Sequence, residues 1–210
     1  MSAVQGTAKR VPNRWGEGQR LRQEILDAAG RLLAETENPE TISLRAIARE
    51  AGVTAPAIYK HFKDKSELMW TLLDTVYATL AERMRTAQQA APADDSWAGL
   101  RAAVDTYCRL ATDAPHRYDL LFRIGPGLPP PDHLPRHPMT QILDAWCEAV
   151  TPYLATTGRG TGSTDQIAKL LWSSLHGQLG LWRNVSQNTD DNTGLDELRD
   201  SLLSALFGRS

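Results

Sequence analysis

The sequence predicts an all-α fold of about nine helices, in which a helix-turn-helix precedes a larger helical domain. Apolar residues recur every three or four positions through most of the 210-residue chain, which is the spacing of one face of an α-helix. No segment of the sequence alternates apolar and polar residues with the period of two that half-buried β-strands show. Two short helical segments joined by a glycine-containing turn lie between residues 42 and 65, which is the layout of a helix-turn-helix.

The first helix follows a basic segment. Residues 1–16 lack apolar periodicity and carry Lys9, Arg10 and Arg14, so they are predicted to form a flexible arm. Helical spacing then begins, and Asn38-Pro39 ends it. The apolar residues of this first helix are Leu21, Ile25, Ala28, Ala29, Leu32 and Leu33.

The helix-turn-helix is predicted from its capping residues and its turn. Ser43 is expected to cap a short second helix, and Gly52 is expected to end that helix in a turn of positive φ. Thr54 is expected to cap the third helix, and Ile58 and Phe62, four residues apart, should face the core. Any helical hairpin can show these features, so the pattern alone leaves DNA binding and a purely structural role open.

A long fourth helix follows. Asp64 and Glu67 form the pattern of a capping box, and Pro92 lies beyond the end of the helix. A helix of about 25 residues is long enough to link two regions of the molecule. Its predicted apolar stripe is Leu68, Leu72, Val76, Leu80 and Met84.

Five further helices are predicted in the rest of the chain, separated by loops. The segment 125–138 holds six of the twelve prolines and is predicted to be a loop, and residues 156–164 are rich in glycine and threonine. Thr164 is expected to cap the helix that follows it. The predicted helices span residues 96–114, 115–125, 139–154, 164–185 and 195–207.

Four motifs carry a resemblance to a known family. They are Leu44-Arg45-Ala46-Ile47-Ala48, Ala51-Gly52-Val53-Thr54, Ile58-Tyr59-Lys60-His61-Phe62 and Lys65-Ser66-Glu67-Leu68. Over about residues 20–70 the chain resembles the N-terminal domain of the tetracycline-repressor (TetR) family of transcriptional regulators. Two looser signatures, Pro115-His116-Arg117-Tyr118 leading to Phe122 and Trp172 followed by His176-Gly177, are similar to the family's ligand-binding and dimerisation domain.

The resemblance and the side-chain chemistry predict the same DNA contacts. Tyr59, Lys60, His61 and Lys65 carry donors suited to phosphate oxygens. Lys65 lies in the first turn of the fourth helix, where a cation opposes the helix dipole unless an anion binds beside it.

The base-reading end of the third helix is predicted to be poor in donors. Among Thr54, Ala55, Pro56 and Ala57, threonine alone has a side-chain donor, and the alanines can contact thymine methyl groups. Arg10 and Arg14 of the basic arm could enter a minor groove, or the arm could be a disordered tail. The predicted DNA-binding residues are Ser43, Arg45, Thr54, Ala55, Pro56, Ala57, Tyr59, Lys60, His61 and Lys65.

The distribution of charge supports a DNA-binding N-terminal end. Residues 1–65 contain 11 Lys/Arg and 8 Asp/Glu, whereas residues 66–210 contain 12 and 17. A polyanion such as DNA would therefore meet the N-terminal end more favourably than the rest of the chain. The predicted domains are the arm 1–16, a DNA-binding domain 17–65 and a ligand-binding and dimerisation domain 66–210.

The C-terminal domain is expected to bind a small, largely apolar molecule and to form a homodimer on a palindromic, double-stranded DNA operator. Aromatic residues with polar tips line apolar ligand pockets, but they also fill ordinary helical cores. His176 is expected either to anchor the ligand or to hold two helices together. The favoured ligand-binding residues are Tyr107, Phe122, Trp146, Trp172 and His176.

The predicted dimer surface consists of apolar residues on the last two helices. They are Leu170, Leu171, Leu175, Leu179 and Trp182, followed by Leu198, Leu202, Leu203, Leu206 and Phe207. Together they offer more apolar surface than one monomer usually exposes. The resulting reading is a repressor that the ligand releases from DNA. The alternative is an architectural DNA-binding protein without an effector.

Other classes of protein are not favoured. The sequence has no catalytic motif, no cofactor motif and no long apolar run, so an enzyme, a cofactor and a membrane span are not expected. His133 and His137 are separated by Pro135, which makes a zinc site between them improbable. Two cysteines, Cys108 and Cys147, form no disulfide or metal motif, so a reduced, cytoplasmic protein is expected.

Overall fold

The computed structural model describes residues 17–36, 41–119, 121, 137–158, 162–185 and 193–208. These residues form nine α-helices and no β-strand, which confirms the predicted all-α fold. The helices are α1 (Glu17–Glu35), α2 (Leu44–Glu50), α3 (Ala55–Ile58), α4 (Lys65–Ala90), α5 (Ser96–Asp113), α6 (Pro115–Asp119), α7 (Thr140–Thr157), α8 (Thr164–Val185) and α9 (Thr193–Phe207).

The chain divides into two compact units between Leu68 and Met69, within the first turns of α4. In the N-terminal unit, α1 packs against α2 and α2 packs against α3. None of the described side chains buried in this unit carries a polar atom, so burial of apolar surface is the main source of stability in its core. They are Ile25, Leu26, Ala28, Ala29, Leu33, Ile42, Ile47, Ala48, Ile58, Phe62 and Leu68.

The C-terminal unit has a core of a different composition. Helix α7 packs against both α5 and α8, and α8 also packs against α9. Aliphatic side chains from these helices surround a set of buried residues whose side chains end in a hydroxyl, a thiol or an indole N–H. That set is Trp70, Tyr77, Tyr107, Cys108, Tyr118, Trp146 and Tyr153.

Helix α4 buries a wider face than the predicted stripe. Leu68, Leu72, Leu80 and Met84 are buried as expected, whereas Val76 is half-buried. A stripe one residue wide suits a helix with one neighbour, and a wider apolar face indicates burial on several sides. The additional buried residues of α4 are Met69, Trp70, Leu73, Tyr77 and Ala81.

A proline inside α7 shapes the contact between α7 and α4. Pro152 has no backbone N–H, so it cannot donate to the carbonyl of Glu148 four residues earlier. The side-chain amide of Gln88 on α4 donates to that carbonyl instead, at 3.1 Å. The Glu148 carboxylate accepts two hydrogen bonds from Arg85 at 2.6 and 3.1 Å, and Gln141 of α7 donates to Asp74 at 2.7 Å.

The start of α8 differs from its prediction by one residue. Thr164 is the first residue of the helix, and Ser163 is the cap. The Ser163 hydroxyl accepts from the N–H of Gln166 at 3.3 Å, and the Gln166 side chain accepts from the N–H of Ser163 at 3.0 Å. This reciprocal pair is a capping box. The sequence does not distinguish Ser163 from Thr164 as the cap, because either residue type can cap a helix.

Several predicted features fall outside the described residues. They are the basic arm 1–16, the Asn38-Pro39 end of the first helix, most of the loop 125–138, His133 and Phe122. In the described part of the chain, no helix is long and apolar enough to cross a membrane.

Candidate functional site

Helix α2 begins and ends with well-defined caps. Ser43 has extended backbone angles, and its hydroxyl accepts the N–H of Ala46 at 3.1 Å, as predicted for an N-cap. At the other end, the N–H of Gly52 donates to the Arg49 carbonyl at 3.1 Å and the N–H of Val53 donates to the Ala48 carbonyl at 2.9 Å. These two bonds form a Schellman motif, which fixes the direction of the chain as it enters α3.

Gly52 supplies the positive φ that this motif requires. Its φ is +66°, and a Cβ atom added there would meet no other atom within 4 Å. The position therefore selects glycine for its backbone conformation and not for lack of space.

Helix α3 is short, and its cap differs from the prediction. Thr54 occupies the N-cap position with extended backbone angles, but its hydroxyl makes no capping hydrogen bond. Pro56 lies in the first turn, as expected. The regular helix ends at Ile58, and the N–H groups of His61 and Phe62 both donate to the Ile58 carbonyl, at 2.8 and 3.0 Å. The Thr54 hydroxyl is thus not used by the helix that it precedes.

The two sides of the α3 segment have opposite environments. Ile58 and Phe62 are buried in the core, as predicted, and the guanidinium of Arg22 lies 4.7 Å from the centre of the Phe62 ring. Tyr59 and Lys60 point the other way, and Tyr59 is 59% exposed. A large aromatic side chain exposed to this degree beside a cation is suited to contact a partner.

None of the ten residues predicted to bind DNA is buried. Six are exposed, namely Ser43, Arg45, Thr54, Pro56, Tyr59 and Lys60, and four are half-buried, namely Ala55, Ala57, His61 and Lys65. Lys65 is the first residue of α4, as predicted. The N-cap before it is Asp64, whose carboxylate accepts the N–H of Glu67 at 2.9 Å, while Glu67 accepts the N–H of Lys63 at 2.7 Å.

The surroundings of His61 favour the neutral form of its imidazole. Burial, then the positive charges of Arg22 and Lys60, lower the pKa of its imidazole below 6.5. A neutral imidazole can still donate one N–H to a phosphate oxygen, but it brings no charge to the contact.

Two cations beside this surface were missed at the level of sequence. Arg49 is exposed and lies four residues after Arg45, so both share one side of α2. Lys63 is exposed in the turn before α4. The spacing of the two arginines was the signal available for Arg49, and the run of three lysines at 60, 63 and 65 was the signal for Lys63.

Four of the five predicted ligand-binding residues lie in described parts of the C-terminal unit. Tyr107 and Trp146 are buried, with ring centres 5.2 Å apart. The half-buried Trp172 donates its indole N–H to the Tyr107 hydroxyl at 2.9 Å. Helices α5, α7 and α8 thus bring three of the predicted aromatic residues together. The fifth residue, Phe122, lies outside the described residues.

His176 contacts a neighbouring helix. The hydroxyl of Tyr118 on α6 lies 2.8 Å from the His176 Nδ1 and 3.2 Å from the His176 carbonyl oxygen. A hydroxyl has one proton, so both contacts are hydrogen bonds only if Nδ1 donates to the Tyr118 oxygen. Burial lowers the pKa of His176 from its usual value, which favours the neutral form of the ring. This contact agrees with the helix-holding alternative for His176.

Tyr77 and Trp70 of α4 belong to the same interior, and the sequence did not indicate them. The Tyr77 hydroxyl donates to the Leu121 carbonyl at 2.9 Å, and burial raises the pKa of Tyr77 to about 12. The ring of His137 packs edge-on against Trp70 at 5.0 Å. The N–H of Met139 donates to Nδ1 of the same histidine at 3.1 Å.

Comparisons with known proteins agree with both halves of this description. The family model described as "Bacterial regulatory proteins, tetR family" matches residues 25–70. The model described as "Tetracyclin repressor-like, C-terminal domain" matches residues 100–206, about half of the chain. The chain belongs to the TetR family. As a member of a family of transcriptional regulators, it is not an enzyme.

Relatives of this TetR-family chain are found among curated proteins and among solved structures. An uncharacterised helix-turn-helix-type transcriptional regulator of Haemophilus influenzae is 31% identical over 109 residues, which cover 52% of each chain. The chain thus spans about half the length of the curated relative that it matches.

Two solved structures share the fold of the TetR-family chain. FadR of Bacillus subtilis in complex with stearoyl-CoA has a TM-score of 0.69 at 17% identity and covers 88% of this chain and 97% of its own. SmeT, the repressor of the Stenotrophomonas maltophilia multidrug efflux pump SmeDEF, has a TM-score of 0.66 at 20% identity, with coverages of 90% and 92%.

The described residues of the TetR-family chain include no group of three or more His, Cys, Asp or Glu that could hold a metal ion. The Cys108 thiol is buried, which raises its pKa to about 12, and Cys147 is half-buried. Both cysteines are free. A thiol with so high a pKa is unreactive, so Cys108 acts as a small apolar residue of the core.

Proposed function

We propose that this chain is a transcriptional repressor that binds a palindromic DNA operator as a homodimer and is released from it by a small, largely apolar ligand. A protein with this role acts where chromosomal DNA lies, in the cytoplasm. The observation that carries the proposal is the two-sided α3 segment, in which Ile58 and Phe62 are buried while Tyr59 and Lys60 are exposed.

The DNA contacts divide into two classes. The Thr54 hydroxyl, which makes no capping bond, and the methyl groups of Ala55 and Ala57 are suited to base edges in the major groove. Phosphates are contacted by Tyr59, Lys60, His61 and Lys65, with Ser43 and Arg45 at the start of α2. Arg49, on the same side of α2 as Arg45, joins this second class.

The dependence of operator binding on salt tests these contacts. An operator is first selected with the wild-type protein by genomic footprinting. Lys60→Ala and Lys65→Ala should each lower the slope of log affinity against log salt by about one, because each removes one phosphate contact. Lys169→Ala is a matched control, since Lys169 is exposed on α8 and pairs with Asp165 at 2.8 Å. An unchanged slope in both N-terminal variants would contradict the proposed contacts.

The proposed dimer uses a narrower surface than the leucine pattern predicts. Five of the predicted residues, Leu171, Leu175, Leu179, Leu203 and Phe207, are buried within the chain and cannot serve a partner. Leu170 and Leu181 are 51% and 69% exposed, and eleven residues, three helical turns, separate them along α8. Leu198 is exposed on α9. Exposed leucines along one face of α8, with another on the adjacent α9, are suited to a two-fold helical interface.

Sedimentation tests the dimer. Leu181→Glu should convert a dimer at micromolar concentration into a monomer, because a charge would be buried in the interface. Thr79→Glu, at an exposed position of α4, is the control and should remain dimeric. A wild-type monomer would contradict the homodimer and, with it, the palindromic operator with half-sites about 34–36 Å apart.

The ligand response is proposed for the interior of the C-terminal unit. Support comes from the polar-tipped aromatic residues Tyr107, Trp146 and Trp172, which meet there. FadR is solved with stearoyl-CoA, and SmeT represses a multidrug efflux pump. By analogy, we propose that the ligand of this chain is largely apolar. A coupling of about 1–3 kcal/mol between the two sites would suffice to release the operator.

The effector-independent architectural protein remains the alternative. Operator affinity is measured with and without fractions of a cell extract, and then with wild-type protein and His176→Ala after both are shown to be folded. A fraction that weakens operator binding by about fivefold or more supports the repressor. If no fraction changes the affinity, the architectural alternative replaces it.

A further inference from the structure

Three buried hydrogen-bond donors among the described residues of the C-terminal unit have no acceptor, namely the indoles of Trp70 and Trp146 and the hydroxyl of Tyr107. The last two lie side by side. The indole Nε1 of Trp146, a fully buried side chain on α7, has no hydrogen-bond partner. The Tyr107 hydroxyl on α5 accepts the N–H of Trp172 at 2.9 Å, and its own proton has no acceptor among the described residues. The two rings are in edge contact, with centres 5.2 Å apart.

Unsatisfied donors at neighbouring positions are unusual in a folded core. More than nine-tenths of buried polar groups are hydrogen-bonded, because an unpaired group loses its bond to water and gains nothing in return. Phenylalanine would fill the apolar part of either position without that cost. The residues present therefore point to an acceptor that is not part of the described chain.

The groups that act on the Tyr107 hydroxyl are polar side chains without a formal positive charge. Burial raises the pKa of Tyr107 well above 10, so its hydroxyl keeps the proton that it can donate. These groups are the hydroxyls of Tyr118 and Tyr77, the Cys108 thiol and the indole of Trp172. A buried carboxylate needs a cation beside it, whereas a carbonyl needs only donors.

Arg183 is one cation beside this interior. Its guanidinium donates to the Ala111 carbonyl at 3.0 Å and lies 5.2 Å from the centre of the Tyr118 ring. It is therefore already engaged with α5 and α6.

We infer that Trp146 and Tyr107 together donate to one neutral carbonyl oxygen, of a ketone, ester or amide, in a largely apolar ligand. A carbonyl oxygen has two lone pairs and accepts both donors at once. The inference rests on the proposed function only in placing a ligand inside the C-terminal unit. It adds the chemical class of the ligand.

Three eight-carbon probes test the inference on the full chain: 2-octanone, n-octane and octanoate. The chain has six tryptophans, and the indole signal of Trp146 in a ¹H–¹⁵N spectrum is assigned as the one lost in Trp146→Phe. 2-Octanone should move this signal downfield, and n-octane should not. Affinity for 2-octanone should fall about tenfold in Trp146→Phe and in Tyr107→Phe, while affinity for n-octane should not change.

The control is Trp97→Phe. Trp97 is half-buried on α5, where it packs against Tyr153 with ring centres 5.3 Å apart, away from the donor pair. This variant should bind 2-octanone like the wild type. Tyr107→Phe keeps the test decisive if Trp146→Phe fails to fold.

Each contrary result overturns a defined part of the inference. Equal affinity for 2-octanone and n-octane, or no binding of any probe, would show that the two donors serve no ligand carbonyl. If octanoate binds more tightly than the other two probes, the ligand carries a carboxylate and not a neutral carbonyl group. If 2-octanone binds as expected but does not change operator affinity, the inference stands and the proposed release by ligand fails.

Discussion

The two units of the molecule place their polar side chains in opposite locations. Among the described residues of the N-terminal unit, the buried side chains are those of aliphatic residues and Phe62, and no polar side chain is buried. The C-terminal unit buries tyrosine hydroxyls and indole N–H groups within its core. A purely apolar core offers a small molecule no hydrogen-bonding groups, whereas buried donors and acceptors can recognise one. The difference suits a macromolecular partner in one unit and a small molecule in the other.

Large core truncations should separate the two units most clearly. Phe62→Ala should destabilise the N-terminal unit by about 3–5 kcal/mol, and Leu171→Ala should destabilise the C-terminal unit by about 2–5 kcal/mol, because each leaves a cavity. Hydrogen exchange should show lost protection in residues 17–68 for the first variant and in residues 69–208 for the second. Equal loss of protection throughout the chain in both variants would mean that the two cores unfold together.

Alanine should have opposite effects at two glycines. Gly52→Ala should cost about 1–2 kcal/mol, because φ is +66° there although space is open. Gly180→Ala should stabilise α8 by about 0.5–1 kcal/mol, since a Cβ atom would meet nothing within 4 Å and the residue is helical. Urea unfolding of the two variants measures both values. Destabilisation by Gly180→Ala would indicate a close neighbour that α8 acquires in the proposed dimer.

Removing one hydroxyl should produce different readouts in the two units. Tyr118→Phe removes the contacts with His176 and should cost about 1 kcal/mol of stability. Tyr59 is exposed, so Tyr59→Phe should change stability by less than about 0.5 kcal/mol while it weakens operator binding. Thermal unfolding and operator titration are measured on both variants. Unchanged operator binding in Tyr59→Phe would remove the hydroxyl from the proposed interface.

The two histidines should respond differently to salt. Burial and the charges of Arg22 and Lys60 lower the pKa of His61, whereas burial alone lowers that of His176. Raising the salt concentration screens the two cations, so the pKa of His61 should rise towards 6.5 while that of His176 stays constant. NMR titrations at low and high salt measure both values. A parallel rise in both would mean that unidentified charges also act on His176.

The same shifts fix the sign of the pH dependence of stability. Both histidines have a lower pKa in the folded chain than in the unfolded chain, so the unfolded chain binds protons first as the pH falls. Stability should therefore decrease from pH 7 through 6.5 and down to the folded pKa values. His61→Gln and His176→Gln should each reduce that decrease, as urea midpoints at several pH values would show.

Features that depend on local chain chemistry could be predicted from the sequence. Ser43 and Gly52 act within a few residues of themselves, and the i, i+4 spacing of Ile58 and Phe62 determines which side of the segment is buried. The residues on the other side of this segment must then be the exposed ones. For this reason the predicted DNA-binding residues all lie at or near the surface.

Features that depend on contacts between distant helices could not be predicted from the sequence. Leu170 and Leu171 are adjacent and chemically identical, yet one is exposed and the other buried, because the position of α7 decides which side of α8 is covered. The unpaired Trp146 indole depends on what α5 and α8 place around it. No spacing in the sequence distinguishes it from an ordinary core tryptophan.

Pro152 shows how a residue that weakens one helix can align two. Because it leaves the Glu148 carbonyl without its helical donor, that carbonyl is open to the Gln88 amide of α4. The hydrogen bond that replaces the missing one thus helps to fix the position of α7 along α4. A chain carrying Pro152→Ala would offer this oxygen two competing donors. We expect this variant to have a more regular α7 and a less sharply defined alignment of α7 with α4. The weaker hydrogen bond from Gln88 to the Glu148 carbonyl should then be seen as faster hydrogen exchange of the Gln88 side-chain amide.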